Sequence, residues 1–130
     1  MVFPENCRYT KDHEWIRMES DSIAFVGITD FAQSELGDIV YVEVESVGEK
    51  IEANKPFGLV EAVKTTSDLY MPVSGKILEF NPLLDQNHGD NPVLINTDPY
   101  GEGWIVKISL TNPTDFDGLM NYEEYKKIVG

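Results

Sequence analysis

Alternation of apolar and polar residues with a period of two is the feature that most limits the folds open to this 130-residue chain. Val40, Val42 and Val44 alternate in IVYVEV, and Trp104, Val106, Ile108 and Leu110 alternate in WIVKISL. Successive side chains of a strand point to opposite faces, so this period predicts strands with one face in a core. Segments 22–27, 75–80 and 93–96 read as further strands. Glycine or proline interrupts at short intervals, among them Gly27, Gly37, Gly48, Pro56, Pro72, Gly75, Pro82, Gly89, Pro92 and Pro99. Many short strands with frequent turns predict an all-β sandwich or flattened barrel.

Helical signals are short and peripheral. Asp30 followed by Gln33 has the spacing of a capping box, and Gly37 supplies a stop, which predicts a small helix over 31–36. The C-terminal NYEEYKKIVG has Asn121 as N-cap, Glu124 three residues on, acids leading and lysines trailing, as the helix dipole favours. Thr114 with Asp117 marks another turn. These helices are expected to cover sheet edges rather than build a second core. The length suits one domain, residues 1–130, with no linker or low-complexity tract dividing it. A short echo relates GDIVYVEV after Gly37 to GKILEFN after Gly75, and two such units about a two-fold would leave the segment between them at an exposed end.

The formal net charge of −13 disfavours nucleic acid and anionic membrane, both of which need a cationic surface. No apolar run is long enough to span a bilayer. The N-terminus lacks the basic start and apolar core of a secretory signal and is not rich in Arg and Ser. That predicts a cytoplasmic protein, or one of the mitochondrial matrix in a trimmed eukaryotic form. Cys7 is the only cysteine, so no intrachain disulfide forms and any paired-thiol chemistry must draw its second sulfur from a bound group. His13 and His88 fit no metal-ligand spacing and read as structural or surface residues. No nucleophile elbow or phosphate-binding glycine loop is present.

Segment 57–81, FGLVEAVKTTSDLYMPVSGKILEFN, carries the chemistry. It places Lys64 in a short polar link between two strand-like runs, 57–63 and 69–73. A hairpin tip exposes an amine to a modifying enzyme while the strands give it a firm base. Conversion to an amide removes the charge, and a tether raises the local concentration of whatever it carries. Glu61 and Asp68 flank the lysine. They read either as a recognition surface or as ordinary solvated acids.

The chain resembles the H-protein family of the glycine cleavage system. The likeness runs through HEW at His13, Glu14 and Trp15, GITDFAQ from Gly27 to Gln33, and LGD from Leu36 to Asp38. It continues through EAVKTTSD around Lys64, PVSG from Pro72 to Gly75, and NTDPYGEGW from Asn96 to Trp104. Ala62, Thr65 and Thr97 stand where the family more often has serine, alanine and serine. The resemblance implies two antiparallel sheets of the lipoyl/biotinyl type with short helices. It implies lipoate bound covalently to Lys64, and a surface cleft that docks the loaded arm against acids matching Glu14 and Asp68, with Glu35 in the small helix as a further candidate. It implies a carrier that is not itself a catalyst, moving an aminomethyl group from glycine decarboxylase (P protein) to the tetrahydrofolate-dependent aminomethyltransferase (T protein), with its dithiol reoxidised by dihydrolipoamide dehydrogenase (L protein). A lipoate-attaching enzyme is the remaining partner, and a shuttle that must leave each partner is expected to be a monomer. Two alternatives stay open: a lipoate relay protein of cofactor assembly, which would share Lys64, and a biotinyl carrier, against which Val63 and Thr65 stand where methionines are usual.

Overall fold

A computed structural model describes residues 1–130, and the period-two segments form two antiparallel sheets. One has six strands in the order β1 (Arg8–Tyr9), β2 (Glu14–Met18), β3 (Ile23–Ile28), β9 (Val106–Leu110), β8 (Gly75–Phe80) and β5 (Lys50–Ile51). The other has three, in the order β4 (Ile39–Glu43), β6 (Pro56–Ala62) and β7 (Thr66–Tyr70). Ile16, Val26, Ile77, Val106 and Ile108 of the larger sheet share one buried cluster with Ile39, Val42, Val60 and Leu69 of the smaller. No helix is long and apolar enough to cross a membrane. The echoing segments that follow Gly37 and Gly75 become β4 and β8, which lie in different sheets.

Three local expectations are overturned. In β4 the register shifts between Ile39 and Tyr41, so Ile39 and Val42 turn into the core and Val40 is left 53% exposed. A bulge of one residue breaks simple alternation because two residues face one on the partner strand. Segment 93–96 is not a strand but the start of α2 (Leu94–Thr97), closed locally by Thr97 N–H donating to Val93 O and Asp98 N–H to Leu94 O. Short apolar runs do not distinguish helix from strand by period. The first helix, α1 (Asp30–Leu36), is capped by Thr29, whose hydroxyl accepts from the Ala32 amide, while Asp30 instead accepts from the Gln33 side chain at 2.7 Å. Gly37 ends α1 at φ 82°, as a stop glycine should.

The C-terminal helix α3 (Tyr122–Val129) has the reciprocal Asn121–Glu124 capping box expected of it. It does more than cover an edge. Its Tyr125 is fully buried with Cys7, Tyr9 and Trp15 in a second cluster, stacked on Tyr9 at 4.6 Å with the rings 8° apart. That cluster forms because β2 is buried on both faces: Ile16 points into the main core and Trp15 the other way, against α3 and the N-terminal segment. The thiol of Cys7 is buried there, and loss of water pushes it up to about 11.

Trp15 lies directly across from Gly27 of β3, and a Cβ at Gly27 would sit 2.8 Å from the indole ring. Gly27→Ala is therefore expected to destabilise the protein by about 1–3 kcal/mol through overpacking. Urea unfolding should show a lower midpoint at unchanged slope; an unshifted midpoint would count against this packing.

Candidate functional site

Strands β6 and β7 pair from Pro56↔Tyr70 to Glu61↔Thr66, which leaves residues 63–65 as the link. The link is tied at both sides. The Ala62 amide donates to Thr65 O at 2.7 Å, and the Val63 amide donates to Asp38 O at the head of β4, at 3.2 Å. Lys64 projects from this anchored tip into solvent and takes part in no side-chain hydrogen bond or ion pair, so nothing in the fold competes for its amine. Val63 beside it is 70% exposed.

The register sorts the neighbouring acids. Glu61 lies across from Thr66 and Asp68 across from Leu59, on the hairpin face opposite buried Val60 and Ala62. Ser67, across from Val60, is on the other face and lines a cleft together with Asp12, His13, Phe31, Glu35 and Leu36. Of the acids singled out from sequence, only Glu35 lines this cleft. Asp68 and Glu61 lie outside its wall, on the hairpin's outer face. A strand rises about 3.3 Å per residue, so Ser67 is on the order of 10 Å along the chain from Lys64.

Glu14 is buried at 2% exposure. Its two oxygens accept from the Tyr70 amide at 3.0 Å and the Thr10 hydroxyl at 3.1 Å, and no cation pairs with it. Removal from water pushes its carboxyl up to about 8, against the pull of those two hydrogen bonds. His13 adopts φ 66°, and its ring lies 4.9 Å from Phe31 and 5.8 Å from Tyr125. His13 Nδ1 meets the Tyr125 hydroxyl at 2.9 Å, and that hydroxyl meets Thr29 Oγ1 at 2.7 Å.

The DPYGEGW segment is scaffolding for this arrangement. Asp98 accepts from the Glu102 amide at 2.9 Å and turns the chain so that Pro99 O receives the Trp15 indole N–H at 3.0 Å. Tyr100 O accepts from Arg17, and the Tyr100 hydroxyl accepts from the Asp30 amide at 3.0 Å. Asn96 ties α1 to β4 by donating to Gly37 O and accepting from the Ile39 amide, both at 2.9 Å. Asp12, His13, Phe31 and Ser67 were not singled out as cleft residues from the sequence. The available signal was adjacency in sequence, Asp12 and His13 to Glu14 and Ser67 to Asp68, while the contact between these segments is set by the fold.

The fold and site together define an antiparallel β protein that displays one unpaired lysine at a braced hairpin tip, beside a cleft with acidic and aromatic walls. The profile of the family described as "Glycine cleavage H-protein" matches residues 7–130. The chain belongs to that family. It is 52% identical over 129 residues to a glycine cleavage system H protein of Bacteroides fragilis, covering 99% of this chain and 98% of the relative. It is 53% identical over 131 residues to the one of Chlorobaculum tepidum, covering 100% and 99%. Among solved structures, a glycine cleavage system H protein from Mycobacterium marinum superposes with a TM-score of 0.85 at 39% identity, covering 97% of this chain and 98% of that one.

The Glu14 environment makes a pH prediction. Its folded-state value, about 8, lies above its ordinary 4.5. Below pH 4.5 both folded and unfolded chains hold the proton. Between 4.5 and 8 the unfolded chain releases it while the fold retains it, so rising pH favours unfolding across this window. Relative to Glu14→Gln, the wild type is expected to lose on the order of a few kcal/mol between those limits. Parallel stability–pH curves for the two proteins, from urea titrations, would refute this.

Proposed function

We propose that this chain is the lipoyl-bearing shuttle of a glycine cleavage system and is not itself a catalyst. The observation that carries the proposal is Lys64, an exposed amine without a partner on a hairpin tip braced by Asp38 and Thr65. Family membership supports lipoate as the group it holds. The residues present fit that group. Acylation needs a reachable amine, and the ladder beneath the tip keeps the arm displayed rather than collapsed on the surface. Lipoate, when attached, supplies a pair of sulfurs for group transfer and redox exchange, which a chain with one buried cysteine does not.

The protein's own residues then have three tasks. Glu61 and Asp68, on the outer face of the hairpin, offer a negative surface to the lipoate-attaching enzyme and to the decarboxylase, aminomethyltransferase and dihydrolipoamide dehydrogenase that the arm must visit. The cleft shelters the arm and its aminomethyl cargo from water between visits, which slows loss of the cargo. Asp12 and Glu35 in the wall, and Glu14 behind it, favour a cationic amine. A cation near Glu14 stabilises its carboxylate, so docking of the amine releases a proton there.

Lys64→Arg keeps the charge and removes the acylable amine. The wild type is expected to gain a lipoyl mass increment mapped to Lys64 and to support glycine decarboxylation with the three partner enzymes; the variant should show neither, a loss of at least about 10³-fold in transfer. A biotin increment, or lipoyl transfer to other carriers without glycine turnover, would replace this reading with the biotinyl or relay alternative. Full activity in Lys64→Arg would end it.

A further inference from the structure

The cleft has one wall group that neither the family comparison nor the lysine explains: His13. The hydrogen bonds behind it are all satisfied in only one direction. Thr29 Oγ1 is fully buried, and its only partners are the Ala32 amide and the Tyr125 hydroxyl. Thr29 Oγ1 accepts from that amide, and its own buried proton is satisfied only when it is given to Tyr125 Oη, which sets the direction of that bond. Tyr125 Oη has two partners, and with one of them donating to it, its own proton goes to the other, His13 Nδ1. Nδ1 is therefore an acceptor, and in a neutral imidazole the other nitrogen, Nε2, carries the hydrogen. The helix that begins at Thr29 thus fixes the state of a ring on the far side of Tyr125.

The neighbours of His13 show why that matters. Asp12 and Glu35 line the same cleft, and both favour the charged imidazolium. Glu14 is next in the chain, and Tyr125 packs from α3. A protonated His13 would place an internal cation in the same cleft as the two wall carboxylates. We infer that Thr29 and Tyr125 act as positioning residues that hold His13 neutral with its N–H on Nε2, reserving Asp12 and Glu35 for a cationic guest. A doubly protonated ring would also turn Nδ1 into a donor facing the Tyr125 proton and break the relay. Burial of the ring lowers its proton affinity in the same sense. The carrier reading enters only through the guest, taken to be the amine of the aminomethyl-loaded arm.

The relay is read directly by nitrogen-15 NMR of the full-length, unlipoylated chain. Only two histidines contribute, and exposed His88 serves as the internal reference. At neutral pH, His13 is expected to show an unprotonated Nδ1 and a protonated Nε2. Tyr125→Phe keeps the ring stack and removes the hydroxyl; it should lose the tautomer preference and titrate His13 at higher pH than the wild type. A proton on Nδ1 in the wild type, or an unchanged preference in Tyr125→Phe, would overturn the relay. Should Tyr125→Phe not fold, the wild-type spectrum still decides. In lipoylated, aminomethyl-loaded protein, Tyr125→Phe should release its cargo as formaldehyde several-fold faster near pH 6, with the lipoyl increment on Lys64 intact; equal rates would overturn the reservation of the carboxylates. A wild type without any lipoyl increment would sink the carrier reading, while the imidazole spectrum would still support or overturn the relay.

Discussion

The burial of β2 on both faces is the constraint from which the cleft follows. Most strands of an antiparallel sandwich keep one face in water, but Glu14, Trp15 and Ile16 are consecutive and all buried. Ile16 belongs to the core between the sheets. Trp15 needs a second apolar layer, and α3, the N-terminal segment and the DPYGEGW turn provide it. Once α3 is seated over Trp15 and Tyr9, its Tyr125 reaches His13 and Thr29. The head of β2, the start of α1 and the C-terminal helix are therefore one structural unit, and the cleft wall is its edge.

The hairpin and the cleft are held by different means. Backbone bonds from Ala62 to Thr65 and from Val63 to Asp38 remove freedom from the base of the Lys64 side chain and leave it in the side chain itself. A tethered group on a firm base keeps a high local concentration at each site it visits, without any strong contact that would delay departure. Glu61 and Asp68 put negative charge on the outer face, where salt screens it.

Much of this was readable from the residues, and the exceptions have physical causes. Strand content, the all-β class, the Asn121 capping box, the stop at Gly37 and the tip position of Lys64 all follow from local pattern, because period, cap chemistry and turn residues are local. The bulge at Val40 was not readable, since it is set by pairing with β6 across the sheet. The helix at Leu94–Thr97 was not, since four apolar-rich residues fit either period. Glu14 could be singled out but its burial could not, since that depends on Tyr70, distant in sequence. Glu61 and Asp68 share the outer face of the hairpin while Ser67 turns to the cleft, and only the pairing of β6 with β7 shows this; Glu35 reaches the cleft from α1.

The sealed sulfur of Cys7 carries a consequence for a molecule built to convey a dithiol. Exchange between sulfurs proceeds through an ionised, reachable thiol, and this one is neither at neutral pH. An accessible sulfhydryl on the same body, within reach of a tethered dithiolane, would compete with every enzyme it meets. Shutting that sulfur behind aromatic rings insulates the cargo from its own vehicle.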